Sequence, residues 1–172
     1  MVLRVDELAK LGGEPCRHLR AGGGCGIHER RPGICRAYHC LWLGGGLEDG
    51  DRPDRLGAVL DVLAVGETHR LEIREAEPGA FGRSPRLRAI AERYRASMPV
   101  RISDVAAPLD PDAPFRVLLP GEEEQHVCGE RVTIWREGRR VSERRLPWLE
   151  RQVRRLALAW RRRRLARRRA AA

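Results

Sequence analysis

Cysteine and histidine side chains are concentrated near the start of this chain. Four of the five cysteines and three of the five histidines lie between Cys16 and Cys40. Thiolate and imidazole groups are ligands of zinc and iron–sulfur centres, so this density predicts a metal site. Clustered thiols also form disulfide or redox pairs, or stay unliganded, and both alternatives remain open at this point.

The spacing of the cysteines is wide, and glycines fill the gaps. Eight, nine and four residues separate the successive cysteines, without any Cys-x-x-Cys pair, in the series Cys16, Cys25, Cys35 and Cys40. Glycines at positions 22–24 and 26 surround Cys25 and permit the positive φ and close backbone approach that converging thiolates need. Pro32 and Gly33 then predict a turn that brings the chain back toward Cys25.

The residues after Cys35 predict a short helix. No helix breaker occurs between Cys35 and Leu43. Residues four apart are neighbours on a helix, so Cys35 and His39 are expected on one face, with Cys40 one position further round.

These residues together resemble a known family. The pattern Cys-x-x-Leu, then Gly-Cys-x-Ile-x-Glu-x-Arg-Pro-x-x-Cys-Arg-x-Tyr, then Cys-Leu-Trp-Leu spans residues 16–19, 24–38 and 40–43. It resembles the bacterial cysteine-cluster family described as a zinc- or iron-chelating domain. The resemblance implies a bound zinc ion, iron ion or iron–sulfur cluster, with four ligands that match the family pattern by position, namely Cys16, Cys25, Cys35 and Cys40.

Two features depart from the family pattern. Its members open with a further group of the kind Cys-x-x-Cys-x-x-Cys-Cys, which is absent before the family-like stretch at residues 2–10. We expect that this group either lies upstream of Met1 or has been lost. In addition, His28 stands where the family has a tyrosine, and its ring either keeps the packing role of that tyrosine or adds a ligand.

Other histidines and one distant cysteine are weaker candidates for metal ligands. His18 and His39 each lie within four residues of a cysteine, so each either completes a mixed site or is a solvated side chain. Cys128, beside His126, is interpreted as a buried strand thiol or, alternatively, as a distant fifth ligand.

The composition predicts one domain with a modest core. The chain has 172 residues, of which 5% are aromatic and 34% charged, so the core depends on Leu, Val, Ile and Ala. A bound metal would help to stabilise such a core. Lysine occurs once and asparagine is absent, which indicates coding bias from a GC-rich genome. The abundance of arginine is therefore weak evidence for function.

The excess positive charge lies at the C-terminal end. Residues 151–172 contain ten arginines and no acid, which leaves 24 basic and 24 acidic residues in the first 150. From Pro147 an apolar stripe at helical spacing predicts an amphipathic helix that lays this stripe on the body, formed by Leu149, Val153, Leu156 and Trp160. Residues 161–172 are expected to be frayed or bound to a partner. That partner is nucleic acid or the ribosome, or an anionic membrane surface, unless the tail has no function.

The predicted fold class is α+β. We expect a small cysteine-rich N-terminal region packed on a short antiparallel or mixed sheet with one or two helices, followed by the basic C-terminal helix. The corresponding divisions are residues 1–43, 44–146 and 147–172. Within the body we predict a hairpin, then a helix, then three further strands, at residues 57–65 with 69–74, 84–98, 100–105, 115–119 and 131–136.

No motif indicates a particular reaction. The chain lacks a Gly-x-Ser-x-Gly elbow, a His-Glu-x-x-His helix and a dinucleotide fingerprint, so enzymatic activity stays open. It also lacks a signal peptide and a long apolar run, from which we expect a cytoplasmic protein. The leading hypothesis is a metal-binding protein. The alternatives are a nucleic-acid- or ribosome-associated protein whose metal is structural and, with less support, an oxidoreductase component.

Overall fold

A seven-stranded mixed sheet with its strands in sequential order forms the centre of the protein. The computed structural model describes residues 2–170, without the side chains of residues 169 and 170. All neighbouring strands are antiparallel except the parallel pair β2–β3. The strands are β1 (Ala58–Val65), β2 (Thr68–Glu75), β3 (Val100–Asp104), β4 (Phe115–Leu118), β5 (Glu123–Cys128), β6 (Arg131–Arg136) and β7 (Arg139–Arg145).

Helices precede, interrupt and follow the sheet, which confirms the α+β class. The α-helices are α1 (Gly33–Ala37), α2 (Pro53–Leu56), α3 (Ala80–Arg83), α4 (Pro85–Arg95) and α5 (Trp148–Ala170). Single 3-10 turns occur at Asp6–Leu8, His28–Arg30, Asp49–Asp51 and Ala107–Leu109.

The predicted hairpin and the predicted helix after it are confirmed. Strands β1 and β2 are joined by a two-residue turn in which Gly66 has φ +61°, a conformation that favours glycine. The parallel pair β2–β3 needs a crossover, and α3 and α4 supply it. Helix α4 begins where the sequence predicts, because the Ser84 side chain accepts a hydrogen bond from the Leu87 N–H at 3.1 Å.

One face of the sheet packs on α4 and forms the main core. The apolar stripe of α4 is buried there through Leu87, Ile90 and Ala91. Alternate residues of the first four strands meet this stripe, namely Ala58, Leu60, Leu71, Ile73, Val100, Ile102 and Leu118.

The opposite face of the first strands is polar. Asp61, Glu72 and Arg101 are paired across β1, β2 and β3, and therefore point to the same side. The N-terminal segment lies over this side at the β1 edge, where Tyr38 donates a hydrogen bond to Asp61 at 2.8 Å. Helix α5 lies over the same face further along, beside Arg101.

Helix α5 packs on the body with the face opposite to the one that we predicted. The apolar stripe is exposed to solvent, with exposed fractions between 57% and 67%, at Leu149, Val153, Leu156 and Trp160. The buried apolar residues are instead Leu158 and Leu165, at 8% and 3% exposure. The prediction that the stripe covers the body was wrong. The helix also continues to Ala170, through the stretch that we expected to fray.

Ion pairs explain this orientation of α5. Arg151 pairs with Glu130 at 2.5 Å, and Arg155 pairs with Asp112 at 2.5 Å. A third contact joins Arg168 of the last turns to Asp6 at 3.5 Å. The body under α5 also offers a small apolar cluster, in which Leu165 packs with Ala9, Leu11 and Leu109, so ion pairs and apolar contacts together turn this side of the helix inward.

The sequence analysis missed two strands and misjudged one helix. Strand β5 includes part of the acidic triplet at residues 122–124, and β7 is exposed along its whole length. Helix α1 ends at Ala37, so the predicted helix from Cys35 to Leu43 was wrong. The Tyr38 backbone is extended there, with φ −72° and ψ 122°, and its hydroxyl reaches toward β1.

Candidate metal centre

A tight hairpin turn presents Cys25. Leu19 and Cys25 form an isolated antiparallel bridge, and the Arg20 N–H donates to the Gly24 carbonyl at 3.1 Å. Gly23 and Gly24 make the turn with φ values of 88° and 81°. This left-handed backbone is costly for any residue with a Cβ, which explains the glycine run before the cysteine. Cys16 lies just before the hairpin, and its carbonyl accepts the Leu19 N–H at 3.0 Å.

Cys35 and Cys40 belong to different local structures. Cys35 lies within α1, whose first turn follows Pro32 and in which the Cys35 N–H donates to the Pro32 carbonyl at 3.0 Å. Cys40 lies beyond the helix and is only 4% exposed. The chain there is fixed to the sheet, because the Leu41 N–H donates to the Leu60 carbonyl at 2.8 Å.

Cys16, Cys25 and Cys35 share one electrostatic neighbourhood. Burial raises the pKa of the Cys35 thiol, and the negative charges of Cys16 and Cys25 raise it further. Cys16 and Cys35 also line the same cavity of about 240 Å³, together with Lys10 and Tyr38. Cys40 lies apart from them: it lines another cavity, of about 550 Å³, which also includes Tyr38.

A buried lysine accompanies the thiols. Lys10 is 7% exposed, and its ammonium donates to the carbonyls of Leu3 at 2.6 Å and Leu11 at 2.9 Å. Burial lowers its pKa, while the charges of Cys16, Glu14 and Cys35 oppose this shift. The sequence analysis did not single out Lys10 as a site residue. The available signal was its uniqueness, since it is the one lysine in a chain rich in arginine.

The donor atoms suit a metal ion such as zinc or iron, but in the described part of the chain their arrangement does not form a metal site. Three thiols near one another are a suitable ligand set for zinc or iron. Within residues 2–170, however, no group of three or more His, Cys, Asp or Glu side chains is arranged so that it could hold a metal ion. All five cysteines are free thiols, so no disulfide ties them either.

The three histidines of this segment make their contacts outside the neighbourhood of Cys16, Cys25 and Cys35. The Nδ1 atom of His39 lies 3.0 Å from the carbonyl of Ala37, and the Nε2 atom of His18 lies 3.3 Å from the Arg17 guanidinium. His28 is exposed. Across the part of the chain that the structure describes, none of these rings contacts a cysteine thiol, and their ligation stays a prediction.

The distant pair of Cys128 and His126 lies on β5. Cys128 is exposed at the end of this strand, so the prediction of a buried thiol was wrong. His126 stacks on Trp135, with ring centroids 5.4 Å apart. A role of Cys128 as a fifth ligand has no support from these contacts.

Tyr38 and Asp61 fix the cysteine segment to the sheet, and the sequence analysis missed their pairing. The Tyr38 hydroxyl lies 2.8 and 3.0 Å from the two carboxylate oxygens of Asp61. Arg74 also reaches Asp61, at 3.2 Å. Burial and the Asp61 charge raise the pKa of Tyr38, so the hydroxyl stays protonated and able to donate. This contact holds the segment between Cys35 and Cys40 in place.

None of the helices within residues 2–170 combines the length and the apolar character that a membrane span requires.

The resemblance to the cysteine-cluster family rests on residues 16–43 alone. Comparison of the chain with family models, with curated proteins and with solved structures gave no match.

Proposed function

We propose that this chain binds a transition metal ion, either zinc or iron, through Cys16, Cys25, Cys35 and Cys40. One observation carries the proposal: Cys16 and Cys25 are near enough to Cys35 for their charges to raise its pKa. Thiolates that repel one another are stabilised by a divalent cation among them, and metal binding displaces their protons. The raised pKa keeps Cys35 a neutral thiol at neutral pH, so a metal ion binds there by displacing its proton and then balances the thiolate charge.

Lys10 supports this view of the local charge. Its ammonium carries a single positive charge close to Cys16 and Cys35. Burial lowers the lysine pKa, whereas a divalent ion does not titrate in the same surroundings. We infer that Lys10 partly compensates the thiolate charge that forms when metal binding displaces the thiol protons.

Cys40 decides whether the site has three or four thiolates. It lies beyond the end of α1, in a stretch at residues 38–40 that belongs to neither helix nor strand. Cys40 does not line the cavity that Cys16 and Cys35 share, so ligation by Cys40 needs a rearrangement of this stretch toward them. Without that rearrangement, the three remaining thiolates leave a position open for water or a substrate.

Metal analysis of the anaerobically purified protein tests the proposal. We expect about one equivalent of zinc or iron per chain, with visible absorption if the metal is an iron–sulfur cluster. Cys35→Ser should reduce the bound metal to below about a tenth of an equivalent, because Cys35 is the thiol whose pKa responds to both Cys16 and Cys25. Cys40→Ser distinguishes the two ligand sets: unchanged metal content indicates three thiolates.

Cys128→Ser is the matched control. It removes an exposed thiol at the far end of β5 and should leave the metal content unchanged. Less than about a tenth of an equivalent of any transition metal in the wild-type protein would overturn the proposal. Equal loss of metal in Cys35→Ser and Cys128→Ser would also overturn it, since the metal would then not depend on the cluster.

The outer face of α5 supports a second candidate function, binding of single-stranded nucleic acid. Trp160 is 59% exposed on this face, and the Arg164 guanidinium lies 5.5 Å from its ring centroid. Arg163 and Arg167 are exposed nearby, within the same two turns of the helix. Aromatic rings that stack on bases beside cations that contact phosphates are the usual elements of such a surface.

A triple substitution of Arg163, Arg164 and Arg167 by Gln tests this candidate. It keeps Leu165, which is buried, so the helix should stay docked. We expect RNA affinity to fall by about tenfold or more, and the log–log salt slope to decrease by about 2, because each lost phosphate contact contributes about 0.7.

A control variant removes the same charge from β7, through Gln at Arg139, Arg140 and Arg144, which are all exposed. Its affinity for the same oligonucleotide should stay within about twofold of the wild type. If both triple variants lose affinity equally, the binding reflects net charge alone and the candidate function is refuted.

A further inference from the structure

An arginine-lined cavity lies between α5 and the polar face of the sheet. Its volume is about 520 Å³, which is within the range of small-molecule sites. Four arginines line it: Arg70 and Arg101 belong to β2 and β3, and Arg154 and Arg161 belong to α5. The cavity is separate from the cysteine segment, since none of its lining residues belongs to residues 2–43.

A buried carboxylate with incomplete hydrogen bonding lies under this cavity. Glu72 is 1% exposed, and its two oxygens lie 2.5 Å from Arg70 Nη2 and 3.7 Å from Arg101 Nη1. Among the described residues, neither oxygen has a hydrogen bond of acceptable geometry, and the buried Nε of Arg70 also lacks an acceptor. Glu72 therefore holds two guanidinium groups in place without using all their donors.

An aromatic ring orients two of the arginines. The Arg101 guanidinium lies 4.1 Å from the ring centroid of Phe115, and that of Arg154 lies 6.0 Å from the same ring. Burial lowers the pKa of Arg101, and the neighbouring charges of Arg70 and Arg154 lower it further, against the opposing effect of Glu72. Around Arg101, the guanidinium groups of Arg70 and Arg154 outnumber the single carboxylate of Glu72, which gives an excess of positive charge.

The local charge balance agrees with this excess. Glu72 is shared by Arg70 and Arg101, and Arg154 pairs with Glu150 at 2.5 Å. Arg161 has no carboxylate within ion-pair distance in the part of the chain that the structure describes. One acid, Asp110, lies at the rim, where its carboxylate accepts the N–H of a neighbouring residue at 2.9 Å.

We propose that this cavity binds a small molecule that carries a phosphate group. The phosphate oxygens accept hydrogen bonds from Arg70, Arg101 and Arg161, whose planar guanidinium groups match tetrahedral oxyanions. The volume exceeds that of a phosphate alone, and the apolar walls at Phe115 and Val117 receive the organic part of the ligand. This binding is independent of the metal proposed above.

Calorimetric titration with pyrophosphate, at ionic strength kept constant with sodium chloride, tests the proposal. We expect saturable binding to one site on the full-length protein. Arg101→Gln should weaken the affinity by about tenfold or more, because it removes a charged donor from the buried side of the cavity. Arg161→Gln should weaken it by about threefold to tenfold. Within residues 2–170, Arg161 has no ion pair or side-chain hydrogen bond, so this variant should leave the fold intact.

Arg139→Gln on the exposed strand β7 is the matched control and should bind pyrophosphate as the wild type does. Absence of saturable heat in the wild type would overturn the proposal. Equal weakening in Arg139→Gln and Arg161→Gln would overturn it as well, because the effect would then come from net charge. Citrate binding as tight as that of pyrophosphate would overturn the assignment to phosphate.

Discussion

Substitution of Tyr38 by Phe should destabilise the fold through the loss of one hydroxyl group. The hydroxyl lies 2.8 and 3.0 Å from the oxygens of Asp61, whose side chain is only 7% exposed. A hydrogen bond to a charged acceptor contributes about 1.5–3 kcal/mol, and Arg74 remains to pair with the carboxylate. We therefore expect a loss of about 2 kcal/mol in the free energy of unfolding, or about 1 M in the midpoint of urea denaturation.

The pH dependence makes this prediction specific. Burial raises the pKa of Asp61, and the Tyr38 hydroxyl opposes that shift, so its removal should raise the pKa further. A carboxyl with a raised native pKa binds more protons in the folded state, and its stability contribution falls as pH rises through that pKa. The difference between wild type and Tyr38→Phe should be full at about pH 7 and should shrink at about pH 3.5, below the ordinary pKa of Asp.

The other tyrosine of the chain provides the control. Tyr94 packs its ring near Arg93, at 5.1 Å, and its hydroxyl makes no hydrogen bond within the described residues. Tyr94→Phe should change the free energy of unfolding by less than about 0.5 kcal/mol. A loss in Tyr38→Phe below about 0.5 kcal/mol, or one that is equal at both pH values, would refute the reasoning about Asp61.

Three further substitutions have defined outcomes. Arg86→Gln should lower the melting temperature at neutral pH, because Arg86 holds the buried Asp51 carboxylate with two hydrogen bonds at 2.7 and 2.6 Å and lowers its pKa. That deficit should fade as pH falls through the lowered native pKa of Asp51, as measured by thermal denaturation in acid. Leu165→Ala should lower the free energy of unfolding by about 2 kcal/mol, as measured by urea denaturation. Leu156→Ala, at 67% exposure, should leave this free energy almost unchanged, and equal losses in the two variants would contradict the orientation of α5. Ser84→Ala should cost about 1 kcal/mol by the same measurement, through loss of the cap of α4, and an unchanged midpoint would contradict the capping role.

Local signals predicted the parts of the fold whose hydrophobic periodicity is strong. The hairpin of β1 and β2 alternates apolar and polar residues around a glycine turn, and α4 has its cap, proline and apolar stripe in sequence. Strand β7 has no such signal, because all its residues are exposed and its pairing with β6 depends on backbone hydrogen bonds. Strand β5 was hidden by its acidic residues, which pair with arginines such as Arg136.

The candidate site was predictable only in part, for a different reason. The glycines around Cys25 indicated its turn correctly, because backbone conformation at φ 88° and 81° is a local property. The end of α1 before Tyr38 depends on Asp61, which is 23 residues away. Likewise, the stripe on α5 correctly indicated a helix but is exposed, because Glu130, Asp112 and the apolar cluster of Ala9 and Leu11 contact the other face. Long-range contacts of this kind leave no mark on local periodicity.

The contact between α5 and the N-terminal segment sets an order of events during synthesis. Leu165 packs against Ala9 and Leu11, and these partners are made about 150 residues before it. At about 5–20 residues per second, Ala9 and Leu11 are synthesised about 8 to 30 seconds before Leu165 can pack against them. Throughout that interval the N-terminal segment has to hold its conformation without the contact that Leu165 adds. The apolar cluster of Ala9, Leu11 and Leu165 is therefore completed only when the last helix has been synthesised.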